Sequence, residues 1–183
     1  MHDDKVRLGK STIQGSGVFA RVAIRAGEAV LAIDDTRIVT AENPLRPEEG
    51  ELEEHQDYLA DGTVTLMQYP ECCINHSCSP NTYVKTLLGV RYVFALRGIL
   101  AGEEITYDYC INGFGDTVWE CNCGSPRCRK TIHSDFFHLP FDLQVEYLPL
   151  LDDLYVRVYA GKVLRLMDQI LNIPPVSAGN SPS

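Results

Sequence analysis

Residues 75–81 read NHSCSPN, a dense polar run that follows the apolar residue Ile74 and leads into a predicted strand. A turn whose side chains cap its own backbone gives the same kind of pattern, so the run alone does not distinguish a turn from a binding site. The run also contains a cysteine, Cys78, and a second segment rich in cysteine lies further along the chain.

The second segment, residues 121–128, reads CNCGSPRC and places three thiols on a turn of glycine and proline. Three such thiolates can converge on one cation, and a structural zinc ion takes four ligands in a tetrahedron. The spacing does not choose the fourth ligand. The candidates are Cys72, Cys73, Cys78, Cys110, His133 and His138.

The seven cysteines of the chain are more consistent with metal binding than with disulfides. Their number is odd, and the first residues, MHDDK, contain neither a basic nor an apolar signal region. We therefore expect a soluble, intracellular protein in a reducing compartment, where disulfides are rare.

The length of 183 residues and the strand signals along most of the chain predict one small, mainly β domain. Between Val6 and Val39, short apolar runs broken by glycine predict strands in hairpins. The acidic residues 42–54 predict a surface loop with a helical turn near residues 48–55. Further strand signals are rich in β-branched and aromatic residues. They lie at residues 63–67, 81–87, 91–96 and 105–109.

The character of the chain changes after the cysteine-rich segment. From Phe141 to Ile173, apolar residues recur at helical spacing, which predicts two helices with a break near Pro149 or Gly161. Pairing of these helices between two chains would give a homodimer, and packing within one chain would give a monomer. The last residues, 174–183, are rich in proline, glycine and serine and are expected to be disordered.

The charge of the chain disfavours nucleic-acid binding. Sixteen Lys and Arg against 25 Asp and Glu leave a net charge of -9, which repels phosphate backbones. The same charge attracts a basic polypeptide, although an acidic surface kept for solubility explains it equally well. No apolar run is long enough to cross a membrane.

Four segments, in this order, resemble the SET family of protein-lysine methyltransferases. Residues 15–20 read GSGVFA, with a turn at residues 27–28, and they are followed by the run at 75–81. Residues 102–109 read GEEITYDY, and residues 121–129 add CNCGSPRCR. A single Gly-x-Gly is more often a turn than a ligand site, but four ordered matches are far more specific.

The resemblance implies a mainly β, SET (β-clip) fold of small curved sheets with a knot-like active site, which general topology rules would not suggest. It divides the chain into a SET domain at residues 5–118 and a post-SET zinc segment at residues 119–134. A C-terminal helical extension at residues 135–173 and the disordered tail at residues 174–183 would follow.

The resemblance also implies a cofactor site and a metal site. S-adenosylmethionine (SAM) would lie against Gly15, Ser16 and Gly17 and against Asn75 and His76. Tyr58 falls where the family has another aromatic residue lining the site. Structural zinc would be held by four ligands. These are Cys78, Cys121, Cys123 and Cys128.

The implied activity is methyl transfer from SAM to the ε-amine of lysine in a histone-like or other basic protein. Tyr109 matches the active-site tyrosine of the family. Tyr107 occupies a position where the family has phenylalanine or tyrosine, and its hydroxyl crowds the amine, which predicts mainly monomethylation. One departure is the pair Cys72-Cys73, where the family commonly has arginine and phenylalanine.

Two other functions compete with this one. The same fold without activity would serve as a peptide-binding scaffold, and the Cys72-Cys73 departure is its only support. A zinc ribbon that binds nucleic acid would need a basic surface, whereas this chain is acidic. The intracellular location could be cytoplasmic or nuclear.

Overall fold

The computed structural model describes residues 5–113, 115 and 117–172, and within them the chain is mainly β, as predicted. The strands that it contains are β1 Val6–Lys10, β2 Ser16–Ala20, β3 Ala29–Ala32, β4 Gln56–Tyr58, β5 Val64–Leu66, β6 Asn75–His76, β7 Thr82–Leu87, β8 Val90–Ala95, β9 Glu104–Tyr107, β10 Val118–Glu120 and β11 Thr131–His133. Three α-helices follow the last strand.

Strand β9 lies inside the main, seven-stranded sheet. β2 pairs with it in antiparallel orientation, and both β6 and β7 pair with it in parallel orientation. His76 of β6 and Thr82 of β7 both lie opposite Tyr107. β1 extends the sheet beyond β2, while β8 and then β3 extend it beyond β7. Because β6 and β7 share one partner strand, the run at residues 75–81 that joins them is held beside β9.

The side chain of Asn81, the last residue of that run, makes hydrogen bonds to the backbone of β9 of the kind that a neighbouring strand would make. Its side-chain oxygen accepts a hydrogen bond from the Thr106 N–H at 2.8 Å, and its amide donates to the Glu104 carbonyl at 2.7 Å. Asn81 is only 2% exposed, so these bonds satisfy backbone groups that are shielded from water. The polar run therefore stabilises the centre of the sheet.

Two small hairpins stand apart from the main sheet. β4 pairs with β5, with Asp57 opposite Thr65. β10 pairs with β11, and the loop that connects them contains Cys121, Cys123 and Cys128. The predicted helical turn of the acidic loop is present as two short 3-10 helices, Pro47–Glu49 and Glu53–His55.

The prediction of two C-terminal helices is wrong. The structure has three, which are α1 Phe141–Tyr147, α2 Asp153–Val158 and α3 Ala160–Leu171. Pro149 lies in a 3-10 turn after α1, near the predicted break, since proline lacks the N–H that a helix needs. The second break falls at Tyr159, two residues before Gly161 and thus near the other predicted position. It lets buried residues of both α2 and α3 face one core, and this packing overrides the continuous helical periodicity.

The helical extension packs against the sheet and the cysteine-rich segment. Tyr147 and Tyr155, each 1% exposed, lie in one apolar core with Cys78 and Cys121. Asp152 accepts hydrogen bonds from the Thr86 N–H of β7 at 2.6 Å and from the first turn of α2. Packing within the chain is therefore one role of these helices, and homodimerisation through them stays a prediction.

The tail predicted to be disordered, residues 174–183, lies outside the described residues. Within those residues, no helix combines the length and apolar character needed to cross a bilayer.

Candidate active site

Tyr109 follows β9 and reaches across to the segment before β6. Its hydroxyl donates a hydrogen bond to the Ile74 carbonyl at 2.8 Å. Its ring lies 4.8 Å from the Tyr107 ring and 6.2 Å from the Trp119 ring, centroid to centroid. Burial raises the pKa of both tyrosine hydroxyls, so they are protonated at neutral pH. The three rings form an aromatic cluster with a hydroxyl fixed on the backbone.

His76 connects this aromatic cluster to a cysteine. Its Nδ1 accepts a hydrogen bond from the Tyr109 N–H at 3.2 Å, and its Nε2 lies 3.4 Å from the Cys78 sulfur. Burial lowers the pKa of His76 to about 4, although Asp108 opposes this shift. The neutral ring therefore carries its proton on Nε2 and donates it toward the sulfur. Both ring nitrogens are engaged inside the protein, so any contact of His76 with a cofactor would come from its backbone.

The glycine loop, residues 14–17, is held against Asn75 and Glu104. The Asn75 amide nitrogen lies 3.1 and 3.0 Å from two carbonyl oxygens of the loop and 2.9 Å from a Glu104 carboxylate oxygen. Gly15 has a φ of 47°, a left-handed conformation that favours glycine. A side chain at Gly17 would collide with the Glu104 carboxylate. These contacts bring the loop and the polar run into one face.

A cleft of 1080 Å³ opens beside the aromatic cluster. Its lining includes Ile74 and Tyr58, the β4–β5 hairpin, and part of α2 from the C-terminal extension. The glycine loop, Asn75 and His76 are not among its lining residues. The neighbouring residues Ile74 and Asn75 therefore contact two different surfaces, the aromatic cleft and the glycine-loop face.

The four predicted metal ligands come together in the fold. The sulfurs of Cys78, Cys121, Cys123 and Cys128 all lie within 4.8 Å of one another. Cys78 and Cys121 have sulfurs 3.8 Å apart, and four thiolates about 2.3 Å from a tetrahedral zinc ion have S···S edges of about 3.8 Å. Burial raises the pKa of the Cys123 thiol, but the Cys78 N–H and a nearby serine hydroxyl bring it down to about 6. This donor set suits a metal ion that binds thiolates.

The other candidates for the fourth ligand lie elsewhere. The Cys110 thiol donates a hydrogen bond to the His133 carbonyl at 3.0 Å. Cys72 and Cys73 have sulfurs 3.9 Å apart, and Cys72 lines the cleft. Of the candidates, all of which lie in the described part of the chain, Cys78 alone joins the other three sulfurs.

A buried ion pair attaches the cysteine-rich segment to the end of β9. Arg129 makes two hydrogen bonds to the Asp108 carboxylate, at 2.6 and 2.9 Å. The Asp108 side chain is 0% exposed, and that of Arg129 is 13% exposed. The Arg129 N–H also donates to the Cys78 sulfur at 3.4 Å. One residue thus contacts both the thiol cluster and the residue before Tyr109.

The predicted site residues other than His76 fall into three groups, one of which is the thiol cluster. Tyr107, Tyr109 and Tyr58 line the cleft, and Tyr58 is 55% exposed there. The predicted cofactor residues other than Tyr58 and His76 meet at the glycine-loop face, where Gly15 and Ser16 are exposed. The cofactor-binding and catalytic roles of these residues stay predictions.

Three residues that shape the site were not predicted. Trp119 packs on Tyr109 and also lies 5.9 Å from the His76 ring. As the single tryptophan of the chain, two residues before Cys121, it carried a signal that could have indicated this role. The pairing of Asn81 with β9 and of Arg129 with Asp108 had no such signal, because both depend on contacts between distant segments.

The family model described as "SET domain" matches residues 15–110. This match covers more than half of the chain and spans the glycine loop, the run at 75–81 and Tyr109. The chain therefore belongs to the SET domain family.

The chain is similar to several curated histone-lysine N-methyltransferases. It is 35% identical to trithorax of Drosophila virilis in an alignment of 148 residues that covers 72% of this chain and 4% of that protein. It is 34% identical to ASHH3 of Arabidopsis thaliana in an alignment of 152 residues that covers 72% of this chain and 39% of that protein. The chain spans well under half of the length of each relative. A crystal structure of a candidate histone methyltransferase of Plasmodium falciparum aligns with a TM-score of 0.45 and 24% identity, covering 57% of this chain and 92% of that chain.

The Asp108–Arg129 pair predicts a large difference between two arginines of the same segment. Arg129→Met leaves Asp108 buried and unpaired, which should lower the free energy of unfolding by about 3 to 5 kcal/mol. Arg127→Met removes only an exposed pair with Glu146 and should cost less than about 1 kcal/mol. Urea unfolding of the metal-loaded variants measures both values. Equal losses in the two variants would contradict the structural role of Arg129.

Proposed function

We propose that the chain is a SAM-dependent protein-lysine N-methyltransferase. The observation that carries this proposal is the position of the Tyr109 hydroxyl, held on the Ile74 carbonyl next to the residue that contacts the glycine loop. An amine that enters along the aromatic cleft would meet a methyl donor on the glycine-loop face at this point. The resemblance of the curated relatives, which are named for histone-lysine methylation, supports the same activity.

The glycine-loop face fits SAM in its chemistry. SAM supplies a methyl group activated by a sulfonium, and it also carries an ammonium group. This face offers loop carbonyl oxygens and the Glu104 carboxylate, which suit a ligand with positive groups. Gly15 and Gly17 keep side chains away from the loop backbone, so a ligand can approach it closely.

The residues around Tyr109 have two tasks in the proposed reaction. The lysine nitrogen forms a bond to the methyl carbon as the carbon–sulfur bond breaks, so the amine must be neutral and in line. A lysine with a pKa of about 10.4 costs about 4 to 5 kcal/mol to deprotonate at pH 7. The aromatic rings of Tyr107, Tyr109 and Trp119 lower this cost because an apolar surrounding disfavours the ammonium. The fixed Tyr109 hydroxyl would orient the amine and the methyl group.

The cleft favours a basic protein substrate. Its lining contains six acidic and two basic residues, which attract positively charged side chains. These are Asp35, Glu54, Asp57, Glu71, Asp152 and Asp153, with Arg91 and Arg157. A histone-like tail is one such substrate, and it would place the protein in the nucleus. A ribosomal or other basic protein is equally compatible with this charge.

The metal that fits the thiol cluster is zinc. Four cysteine sulfurs in a closed, largely buried group match a structural zinc site, which needs no open coordination position. The His76 contact to Cys78 and the Arg129 N–H would orient that ligand from outside the site. The role of the metal would be to hold Trp119 and the C-terminal segment against Tyr109.

Methyl transfer tests the proposed function. Purified wild-type protein with labelled SAM should methylate lysine in a basic protein such as core histones. Tyr109→Phe should lower kcat by about 100-fold, because it removes the group that orients the amine. Tyr69→Phe, a change at an exposed tyrosine outside the cleft, is the matched control and should keep wild-type activity. If Tyr109→Phe keeps wild-type activity, as the control does, Tyr109 has no role in the mechanism. If wild type binds the peptide but does not methylate it, the result supports the scaffold function instead.

Metal analysis tests the thiol cluster. Cys128→Ser should lower the zinc content from about one ion per chain and lower the Tm, because structural zinc binding contributes directly to folding. Cys72→Ser changes a thiol outside the cluster and should keep the full zinc content. Elemental analysis of both variants after zinc loading provides the measurement. A Cys128→Ser protein that still holds one zinc ion per chain would exclude this residue as a ligand.

The product of the reaction tests Tyr107. Its ring lies 4.8 Å from that of Tyr109 and lines the same cleft, which supports a role of its hydroxyl in taking up space that further methyl groups on the amine would need. Wild type should form mainly monomethyl-lysine, and Tyr107→Phe should form more dimethyl- and trimethyl-lysine. Mass spectrometry of a peptide product separates these forms. An unchanged product distribution in Tyr107→Phe would show that this hydroxyl does not limit methylation.

A further inference from the structure

Two carboxylates in the cleft share one arginine. Arg91 contacts Asp35 through two nitrogens, at 2.7 and 2.6 Å, and Asp57 through the third, at 2.6 Å. The Arg91 side chain is 14% exposed, and those of Asp35 and Asp57 are 28% and 31% exposed. All three residues line the cleft. This triad, Asp35–Arg91–Asp57, holds two negative charges against one positive charge in a partly buried position.

A buried hydroxyl next to the triad lacks a partner. Thr65 is 1% exposed, lines the cleft, and has a side-chain oxygen without a hydrogen-bond partner among the described residues. In the β4–β5 hairpin it lies directly opposite Asp57, and residues opposite each other in an antiparallel pair project from the same face. A buried hydroxyl without a partner costs free energy, which a polar ligand at this place would recover.

The position of Asp57 relates the triad to the reacting centre. Burial is the main cause of the raised pKa of Tyr107 and of Tyr109, and the charge of Asp57 adds to it in both cases. Asp57, Tyr107 and Tyr109 also line the same cleft. In an extended peptide, side chains two residues apart lie about 7 Å from each other. A residue close to the target lysine in sequence can therefore reach the triad.

The triad does not suit the target amine itself. Methyl transfer needs a neutral amine, and a carboxylate in direct contact with that amine would hold it in the charged form. The uncompensated negative charge therefore fits a different positive group of the same substrate.

We propose that the Asp35–Arg91–Asp57 triad, together with the Thr65 hydroxyl, is a specificity subsite that binds a second basic side chain next to the target lysine. This inference rests on the proposed function and adds to it the sequence context of the lysine. A guanidinium or ammonium in this subsite would pair with Asp57 and donate to Thr65. It would also cancel the negative field that favours the charged form of the target amine. The subsite therefore supports both binding and catalysis.

The test compares peptides that differ by one charge. Each peptide carries a central lysine and either arginine or its neutral isostere citrulline within two positions of it. For wild type, kcat/KM should be about tenfold higher for the best arginine peptide than for its citrulline partner, as expected for a partly buried charge pair. Asp57→Asn keeps the shape of the side chain and should reduce this ratio to about two.

Two further variants make the result specific. Asp153→Asn removes a charge from α2, where Asp153 lines the cleft but is already paired with Lys85, and it should keep the wild-type ratio. Asp35→Asn removes the same net charge from the triad, and it replaces Asp57→Asn if the Tm shows that the latter does not fold. A ratio near one in wild type, or a ratio lost in Asp153→Asn and kept in the triad variants, would overturn the inference. Methylation of neither peptide class would overturn the proposed function together with it.

Discussion

The site depends on the sharing of strand β9 by three other strands. β2 occupies one edge, while β6 and β7 both pair with it in parallel orientation, and Asn81 supplies the missing hydrogen bonds at that point. Each of these pairings satisfies buried backbone groups, so the loss of any one of them would leave N–H and C=O groups of β9 without partners. This arrangement brings Tyr109, directly after β9, onto the carbonyl of Ile74, directly before β6.

The cysteine-rich segment closes this site from outside the main sheet. Cys78 belongs to the run between β6 and β7, and its three partner thiols come from the loop between β10 and β11. The Arg129 pair with the fully buried Asp108 adds a second attachment at the end of β9. Trp119 is thereby placed beside Tyr109. The thiol cluster and the aromatic cluster are therefore physically connected, although none of the four thiols lines the cleft.

The sequence was sufficient for those features that depend on local patterns or on ordered motifs. Strands such as β8 follow from their β-branched and aromatic residues, and the resemblance to the SET family indicated the four thiols. The number of helices could not be obtained in this way, because the break at Tyr159 results from packing and not from a helix-breaking residue. Likewise, the Arg91 triad joins residues more than 30 positions apart, which no local pattern indicates.

We propose that the cofactor and the substrate bind to different surfaces, on either side of Ile74 and Asn75. Titration calorimetry of SAM against the zinc-loaded protein tests this assignment most directly, with Asn75→Ala for the glycine-loop face and Asp57→Asn for the cleft. We expect saturable binding by wild type, loss of binding in Asn75→Ala, and wild-type affinity in Asp57→Asn. Absence of binding by wild type, or loss of binding in Asp57→Asn with Asn75→Ala unaffected, would contradict this arrangement of the two surfaces.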